Sequence, residues 1–340
     1  MSPRVSVIVP IYCCEPYVRE CLQSLIGQTM GDFEALCVSD ASPDDSLAVA
    51  REAVSGDDRF RFIELPENRG LSASRNAGME VAQGDVLVFL DSDDYLSVEA
   101  LEHIVTRFDE QNLDDLYFNA RSFYDDERAA QLMSEDFSHR PSFEDVATGR
   151  ELFVFFEAAG QFHPQAALRA VRRSFVDERG IRFREGILHE DLLFTFQTLC
   201  ASRRSSFLNE PIYQRRLRVG SITGVARHSM RNIEGHLAYT DYARRWTVDH
   251  AEELGDDFVA AVARHVNRCL DLCAQWYADE VDEADARCYL GERTAKERAR
   301  FEFDVAQRSS SVREILESKT YRAGEAVTAL PRLIRKALKR

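Results

Sequence analysis

The 340-residue chain predicts an α/β fold, a mostly parallel sheet flanked by helices, followed by a helical C-terminal region. Three observations carry this expectation. Short apolar runs, too brief for helices, alternate with segments of helical period through residues 1–120. Such alternation implies right-handed βαβ crossovers. The run Val86-Leu87-Val88-Phe89-Leu90 then ends abruptly in Asp91-Ser92-Asp93-Asp94. That is the pattern of a buried parallel strand, and open α/β sheets bind ligands at the carboxyl ends of their strands.

The elements follow in order. Residues 5–9 are a β-branched run ended by Pro10. Residues 17–28 place Val18, Cys21, Leu22, Leu25 and Ile26 at helical spacing. Residues 33–38 form a second strand leading into Ser39-Asp40-Ala41-Ser42-Pro43-Asp44, where Ser42 or Asp44 can cap the helix carrying Leu47, Val49 and Ala50. Residues 60–65 are a third strand, 70–82 a loop and helix closed by Gly84, and 86–90 the strand that carries the acids. Residues 116–123 read as a strand, 125–148 as a polar loop or insertion, and 151–159 as a helix buried on most sides. Residues 166–173 and the turn Glu178-Arg179-Gly180 lead to His189-Glu190-Asp191-Leu192-Leu193-Phe194, the start of a helix reaching about Ala201. Residues 211–223 are extended and crowded with Arg215, Arg216 and Arg218. After about residue 225 helical patterns predominate, as in Phe258, Val262, His265, Val266 and Cys269.

Composition narrows the function. A net charge of −15 argues against a nucleic-acid partner. The Lys residues are Lys296, Lys319, Lys336 and Lys339, so a site cation in the first two-thirds is Arg or metal. The eight cysteines form no CxxC pair and read as core residues in a reducing, cytoplasmic compartment. No signal peptide is visible, and no apolar run approaches the ~20 residues of a membrane helix. The tail, residues 331–340, is basic and amphipathic. It could rest peripherally on an anionic membrane at its inner face, or simply pack its leucines on its own protein.

Five segments in register resemble glycosyltransferase family 2, inverting, nucleotide-sugar-dependent enzymes of the GT-A (Rossmann-like) fold. They are Val5-Ser6-Val7-Ile8-Val9-Pro10-Ile11-Tyr12; Cys21-Leu22-Gln23-Ser24-Leu25; Ser39-Asp40-Ala41-Ser42-Pro43-Asp44; Glu67-Asn68-Arg69-Gly70-Leu71-Ser72-Ala73-Ser74-Arg75-Asn76-Ala77-Gly78; and Asp91-Ser92-Asp93-Asp94. The likeness covers roughly residues 4–95, continues more faintly at residues 189–194 and 213–223, and lapses beyond about 225. It implies a catalytic domain over 1–225, with nucleotide-sugar binding in 1–95 and acceptor binding in 96–225, and a helical region over 226–340. Where the family usually has Asn after the Tyr of its first motif, this chain has Cys13.

The resemblance also implies roles. Pro10 and Tyr12 line the nucleobase pocket, Tyr12 by stacking. Asp40 accepts the imide N–H of uracil. Asn68, Gly70 and Arg75 serve the donor sugar and phosphates, the glycine by close backbone approach and the arginine with a planar donor fork. Asp91, with Ser92, contacts the ribose side; Asp93, aided by Asp91, binds Mg²⁺ or Mn²⁺ across the diphosphate. Arg216 and Ser221 belong to a basic lid over the diphosphate. Asp191 is the general base, with Glu190 as alternative base or orienter. The expected activity is transfer of a sugar from a UDP-sugar to a hydroxyl of a glycan or lipid-linked acceptor. A non-catalytic nucleotide-sugar sensor or scaffold is the alternative. A sugar-phosphate nucleotidylyltransferase would want a Gly-rich phosphate loop and an N-terminal Lys, and neither is present.

Overall fold

The computed structural model describes residues 2–132, 143, 145–218, 229–279, 281, 283–306 and 308. The expected lid residue Ser221, the boundary near 225 and the basic tail lie outside the described residues. Eight strands among the described residues form one sheet in the order β3-β2-β1-β4-β7-β6-β8-β5. They are β1 (Val5–Ile11), β2 (Phe33–Ser39), β3 (Phe60–Glu64), β4 (Val86–Phe89), β5 (Tyr95–Leu96), β6 (Asp115–Tyr124), β7 (Arg169–Arg172) and β8 (Ser205–Leu217).

β1 pairs in parallel with β2 on one side and β4 on the other, and β2 with β3. The strand order therefore reverses at β1, and the crevice beyond the carboxyl ends of β1 and β4 is the switch point where open α/β sheets take ligands. The second half is mixed rather than parallel. β7 runs antiparallel to both β4 and β6, while β6 and β8 are parallel. β5 is too short at two residues to leave a periodic signal, and it pairs antiparallel with β8.

Every residue of β1 and β2 is buried, which explains why these strands read as continuous apolar runs. Their side chains divide by parity. Val5, Val7 and Val9 face helices α1 (Val18–Ile26), α2 (Ser46–Ala53) and α4 (Ala100–Gln111); Ile8, Leu36, Leu87 and Phe89 face α3 (Leu71–Val81) and α7 (Arg173–Glu178). α3 lies so close to β1 that a Cβ on Gly78 would sit 2.6 Å from the Ile8 side chain. Asp44 acts at the start of α2 as expected, accepting the Ser46 N–H at 3.2 Å.

The stretch 125–148 is not all loop. It contains α5 (Glu127–Leu132) and ends at Thr148, whose capping box with Glu151 starts α6 (Gly149–Ala158). α8 (Glu190–Ala201) follows the predicted start. The later helices are α9 (Met230–Asp249), α10 (Asp256–Asp279), α11 (Glu283–Gly291) and α12 (Ala295–Phe301). α9 and α10 share one hydrophobic core with α6 and α8, in which Tyr239, Phe258 and Val262 join Phe153, Phe196 and Leu199. No helix among the described residues is long and apolar enough to cross a membrane.

Where β6, β7 and α8 meet, Arg169 and Asp115 form an ion pair, both side chains fully buried. Arg169 also donates to Thr195 Oγ1 at 2.9 Å, and its guanidinium lies 4.7 Å from the Tyr117 ring centre. Burial outweighs the arginine's attraction and pushes the Asp115 carboxyl up to about 6. Removing one partner of a desolvated pair strands the other charge. Arg169→Met should therefore cost about 3–5 kcal/mol in urea unfolding, and adding Asp115→Leu should recover much of it. A loss below about 1 kcal/mol, as for an exposed pair, would contradict this.

Candidate active site

The crevice at the switch point collects the ends of β1, β2 and β4, the start of α3 and the start of α8. Tyr12 stands just past β1 and is 45% exposed, open for stacking. Asn68 hydrogen-bonds its hydroxyl. Pro10 differs from expectation. It does not end the strand, but is buried within β1 in register with Val38. The β4 ladder stops with Phe89 opposite Ile8, so the N–H that proline lacks falls past its end. Cys13 has φ +49°, a left-handed conformation in which Asn is the favoured non-glycine residue. Its N–H donates to Ser42 Oγ at 2.8 Å.

Asp40 is buried and clamps the loop ahead of α3. One oxygen accepts the Arg69 N–H at 2.7 Å and the other the Gly70 N–H at 2.8 Å. Gly70 has a φ of +86°, which favours glycine, and no protein atom lies within 4 Å of where a Cβ would stand. Ser92 is buried and hydrogen-bonds the Cys14 thiol.

Arg75 is the centre of the site, in a role the sequence did not suggest. It is 1% exposed, not an open donor for sugar or phosphate. Its guanidinium reaches three carboxylates: Asp91 Oδ1 at 2.9 Å, Glu190 Oε1 at 2.9 Å and Asp191 Oδ1 at 2.7 Å. It also lies 5.2 Å from the Phe183 ring centre. Asn76, one residue on, fixes the same loop by pairing with both the N–H and the carbonyl of Phe183, at 2.9 and 2.8 Å. Donor-edge and α8 carboxylates are thus gathered on one cation. Glu190 is pushed up to about 7 by burial and by the Asp191 charge, against the pull of Arg75. Burial and the Asp91 charge raise Asp191 as well. Of the two, Asp191 is the more accessible, its side chain 22% exposed against 9% for Glu190.

The acidic run divides its labour. Asp94 is buried, held by the Tyr213 hydroxyl at 2.7 Å and the Arg216 N–H at 2.6 Å, and its carboxyl is raised well above its usual range by burial and the neighbouring acids. Asp91 and Asp93 remain partly exposed, and each engages an arginine through one oxygen, Asp93 accepting Arg218 Nε at 2.7 Å. Among the described residues no cluster of three or more ligating side chains exists. Two open carboxylates still suit Mg²⁺ or Mn²⁺, which often take one or two carboxylates plus substrate phosphates.

Arg216 is committed elsewhere. It binds Glu20, Asp125 and the Asp93 carbonyl, and sits near the rings of Tyr17 and Phe123. Two acids and two rings hold it as a pillar, while Arg218 pairs with Asp93.

Sequence reasoning also missed the support for α8. His189 caps that helix in the left-handed region at φ +58°. Its Nε2 pairs with Asn232 Oδ1 of α9 at 2.8 Å, and its ring meets His236 and Trp276. α9 approaches so closely that a Cβ on Gly235 would lie 1.8 Å from the Leu188 carbonyl oxygen. The non-glycine left-handed residue before two acids had no periodic signature to reveal it.

An open α/β sheet with carboxylates at its switch point, opposed by an acidic helix start, defines a class of nucleotide-dependent transferases. Residues 6–180 match the profile of glycosyl transferase family 2. The chain is 30% identical over 275 residues to the putative glycosyltransferase EpsH of Bacillus subtilis, covering 79% of this chain and 77% of EpsH. The chain belongs to glycosyl transferase family 2, and it is a glycosyltransferase with a nucleotide-sugar donor. Among solved structures it is similar to S. aureus TarS 1-349 in complex with UDP-GlcNAc, with a TM-score of 0.61, 21% identity, and coverage of 90% of this chain and 80% of that one. It is also similar to the mannosyltransferase PcManGT of Pyrobaculum calidifontis in complex with GDP-Man and Mn²⁺, with a TM-score of 0.57, 16% identity, and coverage of 97% and 85%. These likenesses establish the GT-A fold.

Two variants test the site. Arg75→Lys keeps a charge but loses the fork, and should abolish most turnover while leaving a folded protein by circular dichroism. Asn232→Ala removes the hold on His189. It should lower kcat by on the order of tenfold with nucleoside diphosphate affinity unchanged by calorimetry. An unaltered kcat would show that α9 does not position the acids.

Proposed function

We infer that the chain transfers a sugar from a UDP-sugar to a hydroxyl of a glycan or lipid-linked acceptor, inverting the anomeric centre. The observation that carries this reading is the single buried guanidinium joining Asp91 at the donor edge to Glu190 and Asp191. It puts a candidate base within one side chain's span of the candidate diphosphate site.

In this reading Tyr12 stacks on the base, and Asp40 uses its remaining lone pairs for the uracil imide N–H. Arg218 turns from Asp93 toward the diphosphate. Asp91 and Asp93 would hold a divalent cation, whose chemistry is to neutralise charge gathering on the departing diphosphate. PcManGT, bound to Mn²⁺, lends this cation support. Asp191 takes the proton from the acceptor hydroxyl as its oxygen attacks opposite the leaving group. A single displacement needs no covalent nucleophile. Glu190, more deeply buried, shares Arg75 and sets the charge around the base. All eight cysteines are free thiols, which favours a cytoplasmic site of action, at the inner face of the membrane if the tail docks there.

The test is UDP release from a panel of UDP-sugars, with and without Mn²⁺, by wild type and Asp191→Asn. The variant should lose a factor of about 10²–10⁴ in transfer while still binding UDP. Equal rates would move the base elsewhere. The pH profile is a second check. A base works only deprotonated, and burial raises both acids, Glu190 to about 7. Turnover should therefore climb with pH toward neutrality rather than level off above the ordinary carboxylate range near ~4.3. A flat profile between pH 5 and pH 8 would refute the assignment.

A further inference from the structure

At the end of α8 farthest from Glu190 and Asp191 lies a cavity of about 720 Å³, lined by the starts and ends of several helices. That volume suits a small-molecule site. Three arginines line it, Arg150, Arg179 and Arg203, against one acid, Glu151. Glu151 is already engaged, accepting the N–H and hydroxyl of Thr148, both at 2.8 Å. Arg179 is fixed by its own helix, 4.6 Å from the Phe175 ring centre and donating to the Phe175 carbonyl at 3.2 Å. Among the described residues, no acid pairs with the guanidinium of Arg150 or Arg203. Arg179 has Glu178 at 3.8 Å, so among the described residues the unpaired positive charge in this acidic chain is that of Arg150 and Arg203.

The opposite wall is aromatic. Tyr242 and Trp246 stand one turn apart on α9. His250 stacks on Trp246 with ring centres 4.3 Å apart, which holds the indole in place. Between the two walls sits Gln197, whose amide hydrogen-bonds the Tyr242 hydroxyl. Its side-chain oxygen is buried with no hydrogen-bond partner. A buried acceptor left bare is costly, and a ligand hydroxyl would satisfy it.

These features ask for one chemistry. Guanidinium forks take carboxylate or phosphate oxyanions. Rings take the apolar face of a sugar, and a bare amide oxygen takes a hydroxyl. We propose that this cavity binds an acidic glycan, a sugar chain bearing carboxylate or phosphodiester groups, as a distal segment of the acceptor. α8 has 12 residues and so spans ~18 Å, which separates the cavity from Asp191 by several sugar units. The acceptor role rests on the transferase reading above; the binding chemistry does not.

The test uses the full chain and calorimetry, with an oligogalacturonate tetramer, a glycerol-phosphate oligomer, neutral cellotetraose and inorganic phosphate as probes. At least one acidic oligomer should bind saturably and cellotetraose should not. The double variant Arg150→Ala/Arg203→Ala should weaken that binding at least about tenfold while leaving UDP release from the donor unchanged. Whichever acidic oligomer binds identifies the oxyanion. Binding of neither oligomer, equal binding by the double variant, or phosphate binding as tightly as the oligomers would overturn the proposal. Oligomer binding without turnover of any UDP-sugar would leave the binding chemistry intact and remove the acceptor role along with the UDP-sugar reading.

Discussion

A buried guanidinium cannot exist alone, because leaving water costs several kcal/mol that only charged partners offset. Arg75 answers that requirement with Asp91, Glu190 and Asp191, and in doing so locks α3, the end of β4 and the start of α8 into one arrangement. The balance is incomplete. One positive charge faces three carboxylates, and burial, joined by the neighbouring negative charge, raises Glu190 and Asp191 above their ordinary range. The same repulsion that makes the cluster poor at holding three negative charges makes one of its members willing to take a proton. A carboxyl tuned toward neutrality, as the proposed base requires, is thus a consequence of the packing, not a separate device.

The helical layer contributes to this arrangement. α9 and α10 share a core with α6 and α8, so they cannot lift away without exposing Phe153, Phe196 and Tyr239. Gly235 brings α9 onto the Leu188 carbonyl, and Asn232 takes hold of His189, the residue whose left-handed backbone turns the chain into α8. Arg75 fixes the acids from the sheet side and α9 from the other. Their backbone is therefore constrained from two directions before any substrate arrives.

Much of this was legible in the chain, for reasons that can be named. Buried parallel strands announce themselves as continuous apolar runs, and β1, β2 and β4 did so. The acidic end of β4 and the Glu190-Asp191 helix start were legible as well, because charges next to apolar runs stand out. Contacts between distant segments were not. Nothing in the spacing of Arg75 from Asp191 tells that they touch, so an arginine expected at the ligand was found holding three protein carboxylates. Ser92 and Pro10 were read by position in a motif, which says nothing of how deeply both are buried. The antiparallel course of β7 was hidden because four residues of strand look the same in either direction.

The two arginines at the end of β8 show how partner count decides function among identical side chains. Arg216 holds Glu20, Asp125 and a carbonyl and lies between Tyr17 and Phe123, so recruiting it to a ligand would strand two acids and open a packed cluster. Among the described residues, Arg218 has one ion pair, with Asp93, and a single ring contact, with Tyr17. A diphosphate entering the crevice offers Arg218 the same kind of oxyanion that it would give up, so the exchange is close to neutral for the arginine. For Asp93 the proposed exchange is not neutral, because its carboxylate would lose its arginine partner as the phosphates arrive. On the proposed reading, a carboxylate freed beside a diphosphate is what a hard cation requires, and donor entry would complete the site.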